Sequence, residues 1–295
     1  MSELLKKNIY DKHYKKLLIL PIVFLLFSAF YLYNFEKGNG DIVYKDVSLT
    51  GGTTITVIDK SVSITDIREN LLPNFPDLNV RAISNLRTGQ QEAFFVETSH
   101  SPEDLKPALE SILGYELNND NSSIEFTGST ISDGFYRQLR FAIIVAFLFM
   151  GVAVFTIFRT PIPSLTVIIS ALAGIIMTIV TVNLFGMQLS MGGIAALLML
   201  IGYSVDTDIL LTTRVLRSRG ESLNMRFFGA LKTGLTMTLT SIAAVTVALL
   251  VTYNFSEVLR QVFSVLLIGL IFDIFNTWVT NASILKWYAE AKGLK

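Results

Sequence analysis

Six long apolar runs divide this 295-residue chain, at 17–35, 141–158, 164–185, 191–213, 233–253 and 262–285. The first has 19 residues and no charge, enough helix to cover about 29 Å at 1.5 Å per residue and so to cross a bilayer. A secretory signal peptide is the alternative for that run, but it is long and no small-x-small cleavage site follows it. Only 16% of the residues are charged, well below the roughly 25% of soluble domains. The mean hydropathy of +0.53 agrees. Disordered, collagen-like and nucleic-acid-binding classes fit this composition poorly. With 24 Lys and Arg balancing 24 Asp and Glu, there is no cationic footprint for phosphates.

Between the first two runs the composition changes. Residues 36–135 hold 16 acidic and 7 basic side chains and no apolar run long enough to span, which predicts a compact domain over 36–138 outside the bilayer. Alternation predicts strands at 53–58, 78–83, 92–98 and 123–127, the middle pair joined by a turn at Thr88-Gly89. Helices are expected at 64–72, capped by Ser63 or Thr65, and at 102–113, with Ser101 as cap, Pro102 in the first turn and Gly114 as stop. The order β-α-β-β-α-β is that of a small ferredoxin-like α+β domain. Gly38, Gly40, Gly51 and Gly52 mark hinges or tight turns on its membrane side. The predicted fold class is thus an α-helical polytopic membrane protein with six transmembrane helices and one such domain after the first.

An even number of spans puts both ends of this sequence on one side. A tail at 1–16 with Lys6, Lys7, Lys12, Lys15 and Lys16 precedes the first run. Arg159 stands in the turn after the second, and a basic loop with Arg214, Arg217, Arg219, Arg226 and Lys232 is expected after the fourth. With Lys286, Lys292 and Lys295 this side carries 14 basic residues, against Arg260 alone in the short loops opposite. The positive-inside rule then places both termini in the cytoplasm and the domain outside. The last short outer loop is expected at 254–261.

Acids inside spans are costly, about 2.5–3.5 kcal/mol each at mid-bilayer. There are three: Asp206 and Asp208 in the fourth span and Asp273 in the sixth. Asp206 and Asp273 lie at comparable depth, about 6 Å apart along the membrane normal at helical rise, and are expected to face one polar cavity. Asp206 and Asp208 are two apart and point different ways, so one is expected to face the bundle while the other meets a neighbouring span or helps open the inner end. Buried carboxyls of this kind can load and release a proton as access alternates. Na⁺ could use the same oxygens with Ser204, Thr207 and Asn276. The plainer reading is a set of neutral hydrogen bonds between helices, although Thr236, Thr240 and Asn281 add more polarity than packing requires. Gly192, Gly193, Ala195, Ala196 and Gly202 would let another helix approach, and Gly202 shares a face with Asp206.

Other chemistry has little to stand on. There is no cysteine, which excludes disulfides and thiolate metal sites. His13 and His100 are too few for an imidazole metal cluster, so no metal is expected. The Thr50-Gly51-Gly52-Thr53 segment lacks the lysine and spacing of a phosphate loop and precedes a strand. No catalytic triad or paired soluble carboxylates are evident, so no enzyme is expected. The N-x-[ST] matches at Asn121 and Asn281 are weak glycosylation signals.

One N-terminal span, an outside domain opening on Leu-Thr-Gly-Gly-Thr at 49–53 and five further spans together resemble the SecF branch of the SecD/SecF protein-export family. Ile-Gly-Tyr-Ser-Val-Asp-Thr-Asp-Ile-Leu-Leu-Thr-Thr-Arg at 201–214 is similar to the family's Gly-Tyr-Ser…Asp…Arg segment. The likeness continues through 231–236 and 267–272. Bacterial SecF sequences usually place the acid where this chain has Thr207, lack an acid at the Asp273 position and carry Arg where Lys232 stands. Asp206 matches the SecD position, and Ser-Val-Asp-Thr-Asp looks archaeal. The resemblance implies an accessory subunit that pairs with SecD in a twelve-span unit of the RND superfamily and joins a SecY-type channel among membrane lipids. There it would help draw translocating polypeptides outward at the expense of the ion gradient, with no cofactor and no nucleic acid. Half of an RND-type small-molecule or lipid exporter, or a non-transporting scaffold of the channel, are the alternatives.

Overall fold

The computed structural model describes residues 10–84, 88–217, 222–253 and 256–293. Lys6, Lys7, Arg219, Asn254 and Lys295, all invoked above, lie outside the described residues. Among the described residues six helices are long and apolar enough to cross a membrane: His13–Asn39, Ile131–Phe158, Pro161–Leu184, Met191–Arg217, Leu223–Thr252 and Val258–Ala291. A four-stranded domain stands between the first two.

A short helix, α1 (Tyr10–Leu17), leads into α2 (Ile19–Asn39). The basic tail therefore contributes a helix, which folds back on the end of the chain: the Tyr14 hydroxyl donates to Glu290 Oε2 at 2.5 Å. Gly40, at φ 77°, closes α2 with an N–H to Glu36 O. Then comes α3 (Val47–Thr50), one turn that the sequence reading did not anticipate, capped by Asp46 accepting from Ser48 N.

The domain follows in the order β1 (Gly52–Val57), α4 (Ile64–Leu71), β2 (Asn79–Ser84), β3 (Gln91–Thr98), α5 (Pro102–Leu113) and β4 (Ser122–Thr127). All pairings are antiparallel and the sheet order is β2-β3-β1-β4. Its local logic is capping and alternation. Ser63 accepts from Asp66 N, Pro102 opens α5 and Gly114 ends it at φ 76°. Ile55, Val57, Phe94 and Val96 point to one face and pack on Ile67, Leu71, Leu105 and Leu109.

The helix α6 (Ser129–Phe158) starts directly after β4. The helix thus begins before the expected boundary at 138–141 and leaves only Gly128 between strand and helix. Arg159, at φ 52°, ends α6, and Pro161 opens α7 (Pro161–Leu184). The next two helices are α8 (Met191–Arg217) and α9 (Leu223–Thr252). The basic loop expected between them is a correction: Arg214 and Arg217 belong to the last turn of α8, and Arg226 and Lys232 to α9. Cations suit the C-terminal end of a helix dipole, which lets the helix continue through them. The short loop expected at 254–261 is also revised, because α10 (Glu257–Phe275) begins inside it, with Ser256 accepting from Leu259 N. The same span continues through a π-helical segment, Asn276–Asn281, into α11 (Ala282–Ala291).

The membrane core centres on α7, α8 and α10. Their approach is close: a Cβ on Gly269 would lie 2.1 Å from Leu200 Cδ1. Gly193 likewise faces Gln261 and Leu189. Gly202, expected as a packing glycine, has nothing within 4 Å of its would-be Cβ.

The domain is stitched to the nearer ends of these helices. Asp46 N donates to Leu189 O at 3.0 Å and Leu189 N to Tyr44 O at 2.6 Å. Asn183 Nδ2 reaches Ile42 O at 2.8 Å, and Met191 N reaches Ser48 Oγ at 3.2 Å. Gln261 on α10 bonds Ser190 N and Oγ and Gln188 O. The 50–53 motif belongs to this junction. Gly51 and Gly52 have φ of 83° and 144°, and side chains there would strike Ser129 and Thr98 backbone atoms at 2.5 and 2.3 Å. Thr53 Oγ1 donates to His100 O at 2.6 Å. Its glycines serve a tight crossing of β1 with the start of α6.

Candidate functional site

Three helices bring polar side chains together inside the membrane core. Helical rotation divides α8 into two faces. Ser204, Thr207, Asp208, Leu211, Thr212 and Val215 point inward and are buried, whereas Ala195, Met199, Gly202 and Asp206 form an exposed stripe. Asp208 is completely buried and Asp273 is 4% exposed. The expectation that Asp206 and Asp273 face one polar cavity does not hold: Asp206 is exposed, and it is Asp208 that is buried in the same helical core as Asp273. Asp206 lies on an open, shallow surface with Ile209, Leu210, Thr213, Arg214 and Arg217. The two acids are two residues apart, about 200° around the helix, so only one of them can face inward.

Asp208 Oδ1 accepts from Asn281 Nδ2 at 2.8 Å and from Ser170 Oγ, on α7, at 3.4 Å. Thr207 Oγ1 donates to Asp273 Oδ2 at 3.1 Å, and Thr277 Oγ1 to Asp273 Oδ1 at 3.5 Å. Ser204 lines a void of about 10 Å³ beside Asp273, with Thr178, Gly174, Leu200 and Gly269 among its other walls. That is about the space one water needs. Among the described residues, neither acid is in an ion pair. Asp208 Oδ2, Thr212 Oγ1, Trp278 Nε1 and Asn281 Oδ1 are buried and have no hydrogen-bond partner among the described residues. Native interiors rarely tolerate such atoms without a reason.

The π-helical turn supplies much of this arrangement. Asn276, Thr277, Thr280 and Asn281 are all buried there, and π segments recur at functional sites because the wider turn re-aims side chains. Asn276 Nδ2 donates to Phe272 O at 3.0 Å, and its Oδ1 accepts from Thr280 Oγ1 at 3.2 Å. Most of its bonding is thus within its own helix, with one contact across to Met177 Sδ on α7 at 3.5 Å. Asn281 is wholly buried, which removes it as a glycosylation acceptor in the folded chain.

Thr236 and Thr240 do not reach the acids. Both are exposed and bond carbonyls of their own helix, at Lys232 and Thr236 respectively. Ser170 and Thr277 were missed. Ser170 is one of several hydroxyls in the apolar run of α7 and nothing local sets it apart, whereas Thr277 stands one helical turn after Asp273, which was the available signal. Among the described residues no group of three His, Asp or Glu could hold a metal.

A family model described as protein export membrane protein SecD/SecF, C-terminal, matches residues 108–291. The protein-export membrane protein SecF of Methanocaldococcus jannaschii is 38% identical over 285 residues, covering 94% of this chain and 96% of its own length. The protein of that name from Methanothermobacter thermautotrophicus is 37% identical, with 95% and 94% covered. The crystal structure of SecDF, a translocon-associated membrane protein from Thermus thermophilus, matches 95% of this chain at 19% identity with a TM-score of 0.72. This chain spans 38% of that one. SecDF in a super-membrane-facing form gives a TM-score of 0.61 at 20% identity, covering 93% of this chain and 38% of its own. The structural likenesses show a shared fold; with the family match over most of the chain and relatives at this identity along nearly full length, the chain belongs to the SecD/SecF family of protein-export membrane proteins.

Proposed function

We propose that this chain is an accessory membrane subunit of Sec-type protein translocation, in which the Asp208–Asp273 pair loads and unloads a proton and so shifts α8 against α10. The observation that carries this is the burial of two carboxyls in one three-helix pocket with no cation beside them among the described residues. Two such groups cannot both be ionised in a dry pocket unless a cation joins them. Na⁺ is the alternative load, taken by the same oxygens.

Transmission to the outside domain follows the connections already described. The outer end of α8 begins at the 187–191 turn, which is hydrogen-bonded to residues 42–48, and those lead through α3 into β1. A change in α8 thus reaches the sheet through backbone contacts. We assign the domain to the ferredoxin-like class, on the strength of its β-α-β-β-α-β order and the sheet order β2-β3-β1-β4. Its place outside the membrane, with both ends of the sequence in the cytoplasm, rests on the excess of basic residues on the side of those ends. The spans of the membrane part and the domain over 36–138 carry over in this reading, with the helix ends given above.

The partners in this reading are SecD, a SecY-type channel and the translocating polypeptide. The stripe of Ala195, Gly202 and Asp206 is the face offered to SecD, since an exposed acid within a span needs a protein or water-lined neighbour. The test is export of a reporter in vesicles with an imposed proton gradient. With expression and partner assembly equal, Asp208→Asn and Asp273→Asn are expected to abolish the gradient-dependent increment. Unchanged export in both variants would leave the pair a structural role and the chain a scaffold.

A further inference from the structure

The two edges of the outside sheet are built differently. At one edge β2 carries a register shift at Ile83/Ser84 and has α4 packed against it, devices that discourage further pairing. At the other, β4 has neither proline, lysine nor bulge: its six residues, Ser-Ser-Ile-Glu-Phe-Thr, pair in unbroken register with β1 alone. The hydrogen bond from Ile58 N to Asn121 O sets the phase of that ladder. In an antiparallel pair alternate residues turn their N–H and C=O inward, so Ser123, Glu125 and Thr127 face β1. Ser122, Ile124 and Phe126 then present their backbone groups at the open edge.

The side chains there are also uncovered. Ile124 and Phe126 lie opposite Ile55 and Thr53, on the face that α4 and α5 cover elsewhere, yet they are 39% and 57% exposed. The helical layer stops one strand short, leaving room beside it for apolar side chains of an added strand. The charge of this edge is one-signed. From 116 to 133 the chain carries Glu116, Asp120, Glu125 and Asp133 and no Lys or Arg. In addition, β1 and β4 are the two strands joined directly to membrane-anchored segments, through α3 and α6, which ties the open edge to the spans.

We propose that the open edge of β4 is a strand-addition site for an extended segment of a translocating polypeptide, favouring segments that alternate apolar residues with Lys or Arg. The inference rests on the export reading above and adds the surface that holds the exported chain. Main-chain hydrogen bonds to Ser122, Ile124 and Phe126 supply sequence-tolerant affinity. Ile124, Phe126 and the surrounding acids supply the preference. A site of this kind grips an unfolded chain and has no hold on a folded one.

The experiment places a photoreactive residue at Phe126 in the full chain, in vesicles holding a stalled reporter polypeptide with a Lys-rich extended segment. A second probe at Glu69, exposed on α4, is the control. The expected result is a reporter adduct from Phe126 and none from Glu69. Ile124→Pro removes an edge N–H that the β1 ladder does not use, and is expected to lower the adduct about fivefold, as loss of one hydrogen bond would. Glu125→Lys should lower it through charge and stands in if the proline variant fails to fold. Equal adducts from both probes, an adduct undiminished in Glu125→Lys, or cross-links from Phe126 to another membrane subunit alone would overturn the proposal. If reporter export does not depend on this chain at all, the export reading itself fails; if it does depend on it and Phe126 gives no reporter adduct, strand addition alone fails.

Discussion

Glu97 is the group whose replacement has the most calculable consequence. It stands on β3 in a cleft of about 310 Å³ between the sheet and the facing ends of α9 and α10, with Asp46, Arg81, Glu125, Tyr253 and Arg260 on the walls. Burial, and next the charge of Asp46, push its carboxyl up to about 7; Asn79, Arg81 and Thr54 oppose the shift without cancelling it. The folded domain therefore binds the proton more tightly than the unfolded chain does. Stability from this source is fully present below the ordinary glutamate range near 4.5, falls as pH rises from there through 7, and is absent above. A shift of that size is worth about 3 kcal/mol at full ionisation. Glu97→Gln is neutral at every pH, so it should match the wild type near pH 4.5 and exceed it at pH 8. For a domain of this size the gain corresponds to a rise on the order of 10 °C in melting temperature. The chain has no cysteine, so Val96→Cys, at a site with 0% exposure, gives a thiol whose labelling reports opening of the sheet domain alone. The reasoning is refuted if labelling against temperature at pH 8 is the same with and without the Glu97→Gln substitution, or if the glutamine variant opens at lower temperature.

Two further substitutions test the junction and the pocket. Gly52→Ala puts a methyl 2.3 Å from Thr98 O at a φ of 144°, which should destabilise the domain by about 2 kcal/mol or more through backbone strain, read by the same thiol assay. Asn281→Ala removes the 2.8 Å donor to Asp208 and should cost about 1–3 kcal/mol, measured as loss of thermal stability of the detergent-solubilised chain. The second variant made with Asp208→Asn should cost less than the sum of the two, because the carboxylate it strands is no longer there.

Much of the fold could be read from the residues because its signals are local. Ser63, Pro102 and Gly114 act within their own turns, and alternation in β1 and β3 needs only the neighbouring strand. The spans are legible for a similar reason: hydrocarbon imposes one backbone solution on a long apolar run. What escaped depends on neighbours far along the chain. Gly202 and Asp206 have the composition of a packed helix seam, yet the face they share is left open by this chain. Asp208, one turn below Ser204 on the other side, is the acid that α7 and the last helix enclose. No local signal marks the π-helical turn, which arises where Asn276, Thr277 and Asn281 all need inward positions that a straight helix would spread apart. The start of α6 at Ser129 was hidden because polar residues between Ser129 and Arg140 suit a soluble helix as well as a loop. Asp206 keeps its interest as an exposed acid within a span, while the buried polar network belongs to Asp208 and Asp273.

Whether these two carboxyls change protonation is best measured on them directly. Difference infrared spectroscopy of the membrane-reconstituted chain, stepped between acid and alkaline pH, reads the carbonyl stretch of protonated carboxyls. The account predicts a titrating carboxyl band that Asp208→Asn or Asp273→Asn removes or displaces and that Asp206→Asn alters differently. A spectrum in which neither pocket variant changes any titrating band would contradict it, and would leave the pair as fixed hydrogen-bonding groups between helices.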